Sequence, residues 1–303
     1  MNNIRLVWSI RTECGPNRVK NEDSVFPIKS GSGNPPFKAA VCDGLGGHVK
    51  GDVASKIAVS NMKGSSNDLV ETIAAANSEI LEYQENNKES IGMGTTMTAV
   101  TIDQNGLMGI GHVGDTRCYV LSDRKLIQLT QDHNVPGFQN ILEKALGSSE
   151  KLEIEYQDFQ LKNGDVVLLC SDGLYNEFSD EYLKKKLQEG ISADTLIGEA
   201  LIQKPKDNVS AGGIRFEDTT EQFTQNSTWP ANMQSSRVWN DQCSDIRKTT
   251  LERAHVKAFG YGMAVNPITH DGLMVVKSDE NAKHDGQLVQ GPLDSENVCS
   301  DVV

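Results

Sequence analysis

Acidic residues stand at the ends of several apolar segments of this 303-residue chain. Asp43 ends the run FKAAVCD, Asp115 follows GIGHVG, and Asp172 follows DVVLLCS. Asp207 precedes NVSAGGIRF, and the pair Glu22–Asp23 precedes SVFPI. A lone carboxylate at the rim of a core costs free energy unless it is paired or binds a metal. The positions of these acids therefore raise the question of what they bind.

Carboxylates brought together at the ends of neighbouring strands would repel one another strongly unless cations lie between them. A site with oxygen ligands and few histidines or cysteines favours the hard ions Mg²⁺, Mn²⁺ and Ca²⁺. The glycines at positions 44, 46 and 47, just after Asp43, indicate that another group approaches the backbone closely there. Each acid alone has a simpler interpretation, because DG and GD are common turn dipeptides and NED is an ordinary loop sequence.

The segments that carry these acids have the sequence patterns of strands and helices. Alternating or continuous apolar residues predict strands, and two segments read as hairpins with turns at QNG and at Ser122–Lys125. Three of the helical patterns begin near a capping residue, which is Asn67 or Asp68, Ser179, and Ser192. The predicted strand segments are 4–11, 36–43, 95–115, 116–130 and 165–173, and the predicted helices are 51–64, 67–84, 179–190 and 192–204. Hairpins and paired helices indicate an α+β fold with antiparallel sheets and helices outside.

The composition argues against several classes of partner. The formal net charge is -13 and the sequence pI is near 4.9, so the chain repels nucleic acids and anionic membranes. The first residues lack the apolar core of a signal peptide, and no segment approaches the roughly 20 apolar residues of a membrane span. The six cysteines form no CxxC pair, which indicates reduced thiols and predicts a cytoplasmic location.

The character of the sequence changes after Phe216. The segment EDTTEQFTQNSTWPANMQSS is polar and has no periodicity, and the remainder has only scattered apolar pieces. We therefore expect a first domain at residues 1–217 and a polar appendage, weakly structured or of unknown fold, at 218–303. The last segment of the first domain, NVSAGGIRF, contains two glycines, which weaken a strand. We expect a frayed edge strand there.

Seven motifs resemble those of a known enzyme family in their order and spacing. They are RVKNEDS (18–24), VCDGLGGHVKGDVAS (41–55), GMGTTMTAV (92–100), GHVGDTRCYV (111–120), LTQDHN (129–134), LLCSDGLYNEFSDE (168–181) and KDNVSAGGIRF (206–216). Over about residues 5–216 the series resembles the metal-dependent Ser/Thr protein phosphatases of the PPM or type 2C family, and DGLGGH is nearest to the bacterial branch. The resemblance implies a four-layer α/β/β/α sandwich of two antiparallel β-sheets flanked by helices, with a carboxylate metal site at the sheet ends.

The resemblance implies a centre of two Mn²⁺ or Mg²⁺ ions. Asp43 would bridge both ions, and the backbone carbonyl of Gly44 would contact one of them. Asp172 and Asp207 would complete the shell of the other ion. In this family a water that bridges the ions attacks phosphorus directly, which implies hydrolysis of phosphoserine and phosphothreonine without a phosphoenzyme.

Supporting roles also follow from the resemblance. Glu22 and Asp23 would support metal-bound water, with Glu22 acting through water, and Asp115 would contribute to a third, weaker metal site. Arg18 would act in catalysis by binding the substrate phosphate, since a guanidinium can donate two parallel hydrogen bonds to an oxyanion. The expected partners are proteins phosphorylated on serine or threonine and a cognate Ser/Thr kinase system, and the expected state is a monomer.

Two departures from the family pattern affect the chemistry. Leu45 stands where eukaryotic members often carry a histidine that acts as general acid, and His48, although near in sequence, receives no role. The segment VPGFQ at 135–139 is short where bacterial relatives carry a longer flap. The short segment predicts an open site that accepts varied phosphopeptides and p-nitrophenyl phosphate.

Other functions are weighed against this one. A phosphatase-like regulatory module that binds phosphoproteins without turnover would be favoured by loss of Arg18 or Asp172, but both residues are present. A calcium-binding structural protein would need a local cluster such as a DxDxDG loop, which the sequence lacks. A cysteine phosphatase would need Cys-x5-Arg, and the one match considered, Cys118 with Arg124, falls in a predicted surface turn and is taken as chance.

Overall fold

The computed structural model describes residues 4–45, 50–138, 141–190 and 192–218, together with the backbone of residues 273–276 and 287–290. Contacts divide the chain into two units, Met1–Thr228 and Trp229–Val303. Most of the predicted polar appendage lies outside the described residues, so its character and its boundary stay predictions.

Strands and helices follow one another in groups along the first unit, with four strands before α1 and six more between α2 and α3. Its strands are Ile4–Glu13 (β1), Ser24–Phe26 (β2), Gly31–Gly33 (β3), Phe37–Cys42 (β4), Met97–Ile102 (β5), Leu107–Val113 (β6), Arg117–Ser122 (β7), Lys125–Gln128 (β8), Glu155–Gln160 (β9), Val166–Cys170 (β10) and Val209–Asp218 (β11). Its α-helices are Gly51–Asn61 (α1), Leu69–Asn86 (α2), Asp172–Tyr175 (α3), Asp180–Gln188 (α4) and Ala193–Gln203 (α5). The second unit contains an antiparallel strand pair, Leu273–Val276 (β12) and Gln287–Gln290 (β13).

Two antiparallel sheets form the centre of the first unit. One sheet has the strand order β3-β1-β11-β10-β7-β8, and the other has the order β2-β4-β5-β6-β9. The pairs β5–β6 and β7–β8 are hairpins, as their turn sequences predict. Asp123 and Arg124 in the second turn have positive φ, which suits a tight two-residue connection between twisted strands.

Three apolar clusters show how the sheets and helices are stacked. The first cluster lies between the sheets and includes Leu6, Val41, Ile110 and Leu169, which come from β1, β4, β6 and β10. The second joins α1 and α2 to the strands β4 and β5, and the third joins α4 and α5 to β7, β10 and β11. The order is helices, sheet, sheet, helices, which confirms the predicted four-layer α+β sandwich.

Three of the helices, α2, α4 and α5, begin at the predicted capping residues. Asp68 accepts hydrogen bonds from the backbone N–H groups of Val70 and Glu71 at the start of α2. Ser179 and Ser192 cap α4 and α5 through their hydroxyl groups. Each such cap satisfies a backbone donor that the helix itself leaves free, at about 1 kcal/mol of stability. None of the helices in the described part of the chain is long and apolar enough to cross a membrane.

The expectation of a frayed edge strand at NVSAGGIRF is wrong. The corresponding strand β11 lies between β1 and β10, and its pairing with β1 covers the whole length of both strands. Gly212 and Gly213 lower the intrinsic strand propensity. Two flanking hydrogen-bond ladders and the buried side chains of Ile214 and Phe216 offset that loss.

The predicted strand segments also omit three strands of the first unit, β2, β3 and β9. The strand β9 reads EYQDFQ, and its half-buried residues are Glu155, Gln157 and Phe159. Two of these three inward residues are polar, so the usual alternation of apolar and polar residues is absent although the geometric alternation is present.

Candidate metal centre

Asp43 directly follows β4, and hydrogen bonds to its backbone N–H and carbonyl groups fix its position. Ala39–Cys42, which precede it, are fully buried and fix the strand. The N–H of Asp43 donates to Thr96 Oγ1 at 3.0 Å. Its carbonyl oxygen accepts from Thr96 N at 2.8 Å and from Thr95 Oγ1 at 2.8 Å. The backbone is therefore anchored to the GTT segment, and the carboxylate remains available for ligands.

The residue after Asp43 must be glycine. The N–H of Gly44 donates to the Glu22 carbonyl at 3.2 Å. A Cβ at position 44 would collide with backbone atoms of Gly51 and Glu22. Gly44 therefore allows the loop to pass between two other segments, which brings Glu22 to the same end of the sheet as Asp43.

Leu45 makes structural contacts only, in the described part of its surroundings. Its N–H donates to the Gly94 carbonyl at 3.0 Å, and a Cβ at Gly94 would lie 2.9 Å from Leu45 Cδ1. Glycine at position 94 thus makes room for the leucine side chain. Gly46, Gly47 and His48 lie outside the described residues.

Asp172 and Asp207 come together because two backbone segments touch. Strand β10 ends at Cys170 and α3 begins at Asp172, so this carboxylate stands at the end of a fully buried strand. A Cβ at Gly173 would collide with the carbonyl group of Asn208. The backbone after Asp172 therefore lies directly against the backbone after Asp207.

Asp23 is buried, with 5% of its surface exposed. Its Oδ2 accepts a hydrogen bond from Ser210 Oγ at 2.6 Å, whereas Oδ1 is buried without a hydrogen-bond partner. Ser210 belongs to the inner strand β11, so the position of Asp23 depends on that strand being well paired.

Arg18 reaches the acids from the loop between β1 and β2. Its Nη2 lies 2.5 Å from Asp207 Oδ2, and its Nη1 lies 3.8 Å from Glu22 Oε2. Its Nε donates to the Lys206 carbonyl at 3.4 Å. A Cβ at Gly15 would collide with the Asp207 carbonyl, so glycine at this position lets the Arg18 loop approach the cluster. With 28% of its side chain exposed, Arg18 faces both the acids and solvent.

Asp115 follows β6 in a turn that glycine makes possible. Gly114 has a φ of 108°, and a Cβ there would collide with Thr96, the residue that holds Asp43. The Tyr175 hydroxyl donates to the Asp115 carbonyl at 3.1 Å. The Arg117 guanidinium stacks 3.6 Å from the centre of the Tyr175 ring. The backbone of Asp115 is thus fixed from two sides.

Burial and mutual repulsion raise the pKa values of the acids. Burial raises the pKa of Asp23 to about 7, of Asp115 to about 7 and of Asp172 to about 6, and neighbouring carboxylates add to each shift. The pKa of Asp43 lies well above its usual value, first because of burial and then because of four other acids of the cluster. Burial also raises the pKa of Glu22. The acids are therefore close enough to disfavour one another's negative charge.

The donors of this cluster fit hard divalent cations. Among the described residues, the side chains that converge here with Arg18 are carboxylates. One oxygen of Asp23 and one of Asp172 are buried without a hydrogen-bond partner. Such oxygens are costly when they remain unpaired, and bound cations would satisfy them and remove the repulsion between the acids. An all-oxygen donor set suits Mn²⁺ or Mg²⁺.

The structure brings together all seven side chains that the sequence singled out, together with the backbone of Gly44. They are Arg18, Glu22, Asp23, Asp43 with the following Gly44, Asp115, Asp172 and Asp207. Their individual roles as ligands stay predictions. Sequence reasoning missed Ser210, whose hydroxyl group donates to Asp23. Its only sequence signal is that it lies within the motif that also carries Asp207.

The alternative cysteine nucleophile is excluded by its surroundings. Cys118 is fully buried, and burial raises the pKa of its thiol to about 12. Arg124 is exposed in the β7–β8 turn. A buried neutral thiol with no access to solvent cannot act as a nucleophile at neutral pH.

Comparisons with known proteins agree with this geometry. A family profile described as protein phosphatase 2C matches residues 16–195. The serine/threonine phosphatase stp of Listeria monocytogenes is 35% identical over 237 residues, which cover 66% of this chain and 92% of that protein.

Solved structures with a similar fold include serine/threonine phosphatase PstP/Ppp of Mycobacterium tuberculosis. It matches with a TM-score of 0.63 and 30% identity, over 70% of this chain and 99% of that chain. The catalytic domain of PstP in complex with two manganese ions matches with a TM-score of 0.63 and 31% identity, over 71% and 100% of the two chains.

Proposed function

The chain belongs to the protein phosphatase 2C family, and we propose that its carboxylate cluster is where phosphate is removed from phosphoserine and phosphothreonine in proteins. The protein is a metal-dependent Ser/Thr protein phosphatase that uses Mn²⁺ or Mg²⁺. The observation that carries the proposal for the site is the convergence of buried acids with raised pKa values beside the partly exposed Arg18.

Three acids would hold the two main cations. Asp43 would bridge them, the Gly44 carbonyl would complete one shell, and Asp172 and Asp207 would complete the other. Asp115 would serve a third, weaker ion, and Glu22 and Asp23 would support metal-bound water, with Glu22 acting through water. The unpaired buried oxygens of Asp23 and Asp172 support these assignments. When bound, the cations supply Lewis acidity and activate the water that attacks phosphorus.

Arg18 would orient the phosphate group. Its guanidinium lies against Asp207 and Glu22 in this structure, which offsets part of their charge. Once those carboxylates hold cations or bound water, the N–H groups can donate to two phosphate oxygens. Its partial exposure leaves a phosphorylated side chain a path to this group.

The leaving hydroxyl group of the substrate does not take its proton from position 45. Leu45 has no ionisable atom, and it packs on Gly94. The described residues at the two ends of the short segment that follows the fifth motif lie close together, because Val135 N donates to the Ile141 carbonyl at 2.8 Å. Phe138 in that segment is 60% exposed. A short connection in place of a long flap supports an open site that accepts varied phosphopeptides and p-nitrophenyl phosphate.

The wider setting of the enzyme is also proposed. Its substrates would be phosphoproteins modified by a cognate Ser/Thr kinase, and it would act as a monomer in the cytoplasm. The catalytic domain would span residues 1–217, with 218–303 as an appendage that carries none of the site residues.

Hydrolysis of a phosphothreonine peptide tests the proposal. We expect phosphate release with Mn²⁺, none with a chelator, and a loss of at least about 100-fold in kcat/KM for Asp43→Asn and Asp172→Asn. Lys162→Met, which removes an exposed pair with Asp123 outside the seven motifs, is the control and should keep wild-type activity. Peptide binding by the wild type without any metal-dependent release of phosphate would instead support a regulatory module without turnover.

A further inference from the structure

A second group of ionisable side chains lies beside the carboxylate cluster. His112, His133 and Glu155 have ligand atoms within 4.8 Å of one another. The imidazole rings of His112 and His133 lie 4.8 Å apart at 34°. His112 is buried, and its ring nitrogens contact Thr98 Oγ1 at 2.8 Å and the Gln131 carbonyl at 3.0 Å. Two histidines and a glutamate could bind a transition metal. Whether they do depends on which ring nitrogens are already used in hydrogen bonds.

The hydrogen bonds of His133 argue against a metal at this group. The Gly114 N–H donates to His133 Nδ1 at 3.1 Å, and a backbone N–H can only donate. Nδ1 therefore carries no proton, so in the neutral ring Nε2 carries it and faces Glu155 Oε2 at 3.3 Å. A metal bound at Nε2 would require either an imidazolate or loss of the Gly114 contact.

The same bonds tie His133 to the turn that presents Asp115. The backbone N–H of His133 donates to the Gly114 carbonyl at 2.8 Å, so both backbone groups of Gly114 are held by one residue. Gly114 has a φ of 108°, a conformation that residues with a side chain rarely adopt, and it directly precedes Asp115. It also packs on Thr96, which holds the backbone of Asp43.

Neighbouring contacts fasten the same two segments. Arg117 Nη2 donates to Asp132 Oδ2 at 2.7 Å, and Arg117 Nε donates to Asp132 Oδ1 at 2.9 Å. The segment that contains Asp132 and His133 therefore contacts the chain before Asp115, at Gly114, and after it, at Arg117. Gly114 makes two contacts with His133. The bond from the Gly114 N–H is made to the imidazole, so replacing the His133 side chain removes it, whereas the bond to the Gly114 carbonyl comes from the His133 backbone and remains.

We propose that His133 is a positioning residue, which accepts the Gly114 N–H through Nδ1 and thereby sets the place of Asp115 in the metal centre. Glu155 fixes the ring by accepting from Nε2. The role of Asp115 as a metal ligand rests on the proposed function. The hydrogen bonds that link Glu155, His133 and Gly114 are seen in the structure and do not depend on it. Residues that orient metal ligands affect metal affinity about 10- to 100-fold.

Isothermal titration with Mn²⁺ on the full-length chain tests the proposal. His133→Leu removes the acceptor and replaces the ring with an apolar side chain. His133→Asn keeps an acceptor oxygen at the place of Nδ1. We expect His133→Leu to weaken the weakest Mn²⁺ site about tenfold while the tighter sites change less than about twofold. His133→Asn should stay within about threefold of the wild type. Glu155→Gln, which still accepts from Nε2–H, should keep the wild-type number of bound ions.

Three results would overturn the inference. They are an unchanged weak site in His133→Leu, equal weakening in His133→Leu and His133→Asn, and loss of a bound ion in Glu155→Gln, which would make the group a metal site. Melting curves with a chelator check folding, and His133→Gln replaces His133→Leu if the latter is unfolded, because its amide reaches Glu155 and not Gly114. Phosphopeptide hydrolysis by the wild type is measured separately, so failure of the proposed function shows there and not in the isotherms.

Discussion

At Asp23, Asp115 and Asp172 burial raises the pKa of the carboxyl group to about 7, 7 and 6, so part of the cluster is protonated at neutral pH when no cation is bound. These acids are recognisable in the sequence because each abuts an apolar segment. The strength of the repulsion between these acids cannot be predicted from the sequence, because it depends on how closely their segments approach one another. One such approach is the contact between Gly173 and Asn208. Ser210, which donates to Asp23, carries no sequence signal of its own beyond its neighbours.

The raised carboxyl pKa values predict how stability depends on pH without metal. Between about pH 6.5 and 8 the folded chain holds more protons than the unfolded chain, so the free energy of unfolding falls as pH rises. Buried His112, with a pKa lowered to about 4 by burial, opposes this trend only below its unfolded value near 6.5. Urea unfolding with a chelator should therefore show lower stability at the higher pH.

The Asp23→Asn variant should flatten that dependence, because one of the two carboxyl groups with a pKa of about 7 is removed. Added Mn²⁺ should reverse the trend, since cations bind the deprotonated form. Stability that is constant or rises over this range in the chelated wild type would show that the carboxylates do not interact as described.

At the scale of the elements, hairpins and helices follow from the sequence, whereas the edge strand β9 and the inner position of β11 do not. The caps Asp68, Ser179 and Ser192 and the turns of the two hairpins lie where local chemistry requires them. The position of β11 could not be read from its glycines, because its stability comes from pairing with β1 and β10, which are distant in sequence. The strand β9 escaped notice because its inward residues are mostly polar.

Two glycines in helices should respond to alanine in opposite ways. In Gly173→Ala the new Cβ would collide with the Asn208 carbonyl, so we expect a loss of about 2–4 kcal/mol and weaker Mn²⁺ binding. In Gly198→Ala the new Cβ meets nothing within 4 Å in the middle of α5, so we expect a gain of about 0.5–1 kcal/mol. Urea unfolding and Mn²⁺ titration of both variants measure these effects. Normal Mn²⁺ affinity in a folded Gly173→Ala variant would contradict the close approach of the two segments.

At the scale of the whole molecule, the first unit contains every residue of the candidate metal centre. The resemblance found in the sequence covers about residues 5–216, and the family profile covers 16–195. The motifs therefore predicted the layered architecture of this part of the chain. They say nothing about residues 218–303, which carry none of the seven motifs, and there the sequence supports only a polar composition.

A chain that ends at residue 228, the limit of the first unit, should keep metal-dependent hydrolysis. We expect its kcat/KM on a phosphothreonine peptide to stay within about threefold of the full-length value, because no site residue is removed. Circular dichroism checks that the shortened chain is folded. A folded but inactive truncation would mean that the later residues contribute to the site.

The most direct test of the central claim is the position of Mn²⁺ in crystals of the full-length protein, measured by anomalous scattering at the manganese edge. The account predicts two strong peaks about 3.5–4 Å apart on either side of the Asp43 carboxylate, with Asp172 and Asp207 bound to the same ion. In crystals of Asp43→Asn both peaks should weaken together. Manganese bound away from Asp43, or two peaks that persist unchanged in Asp43→Asn, would contradict it.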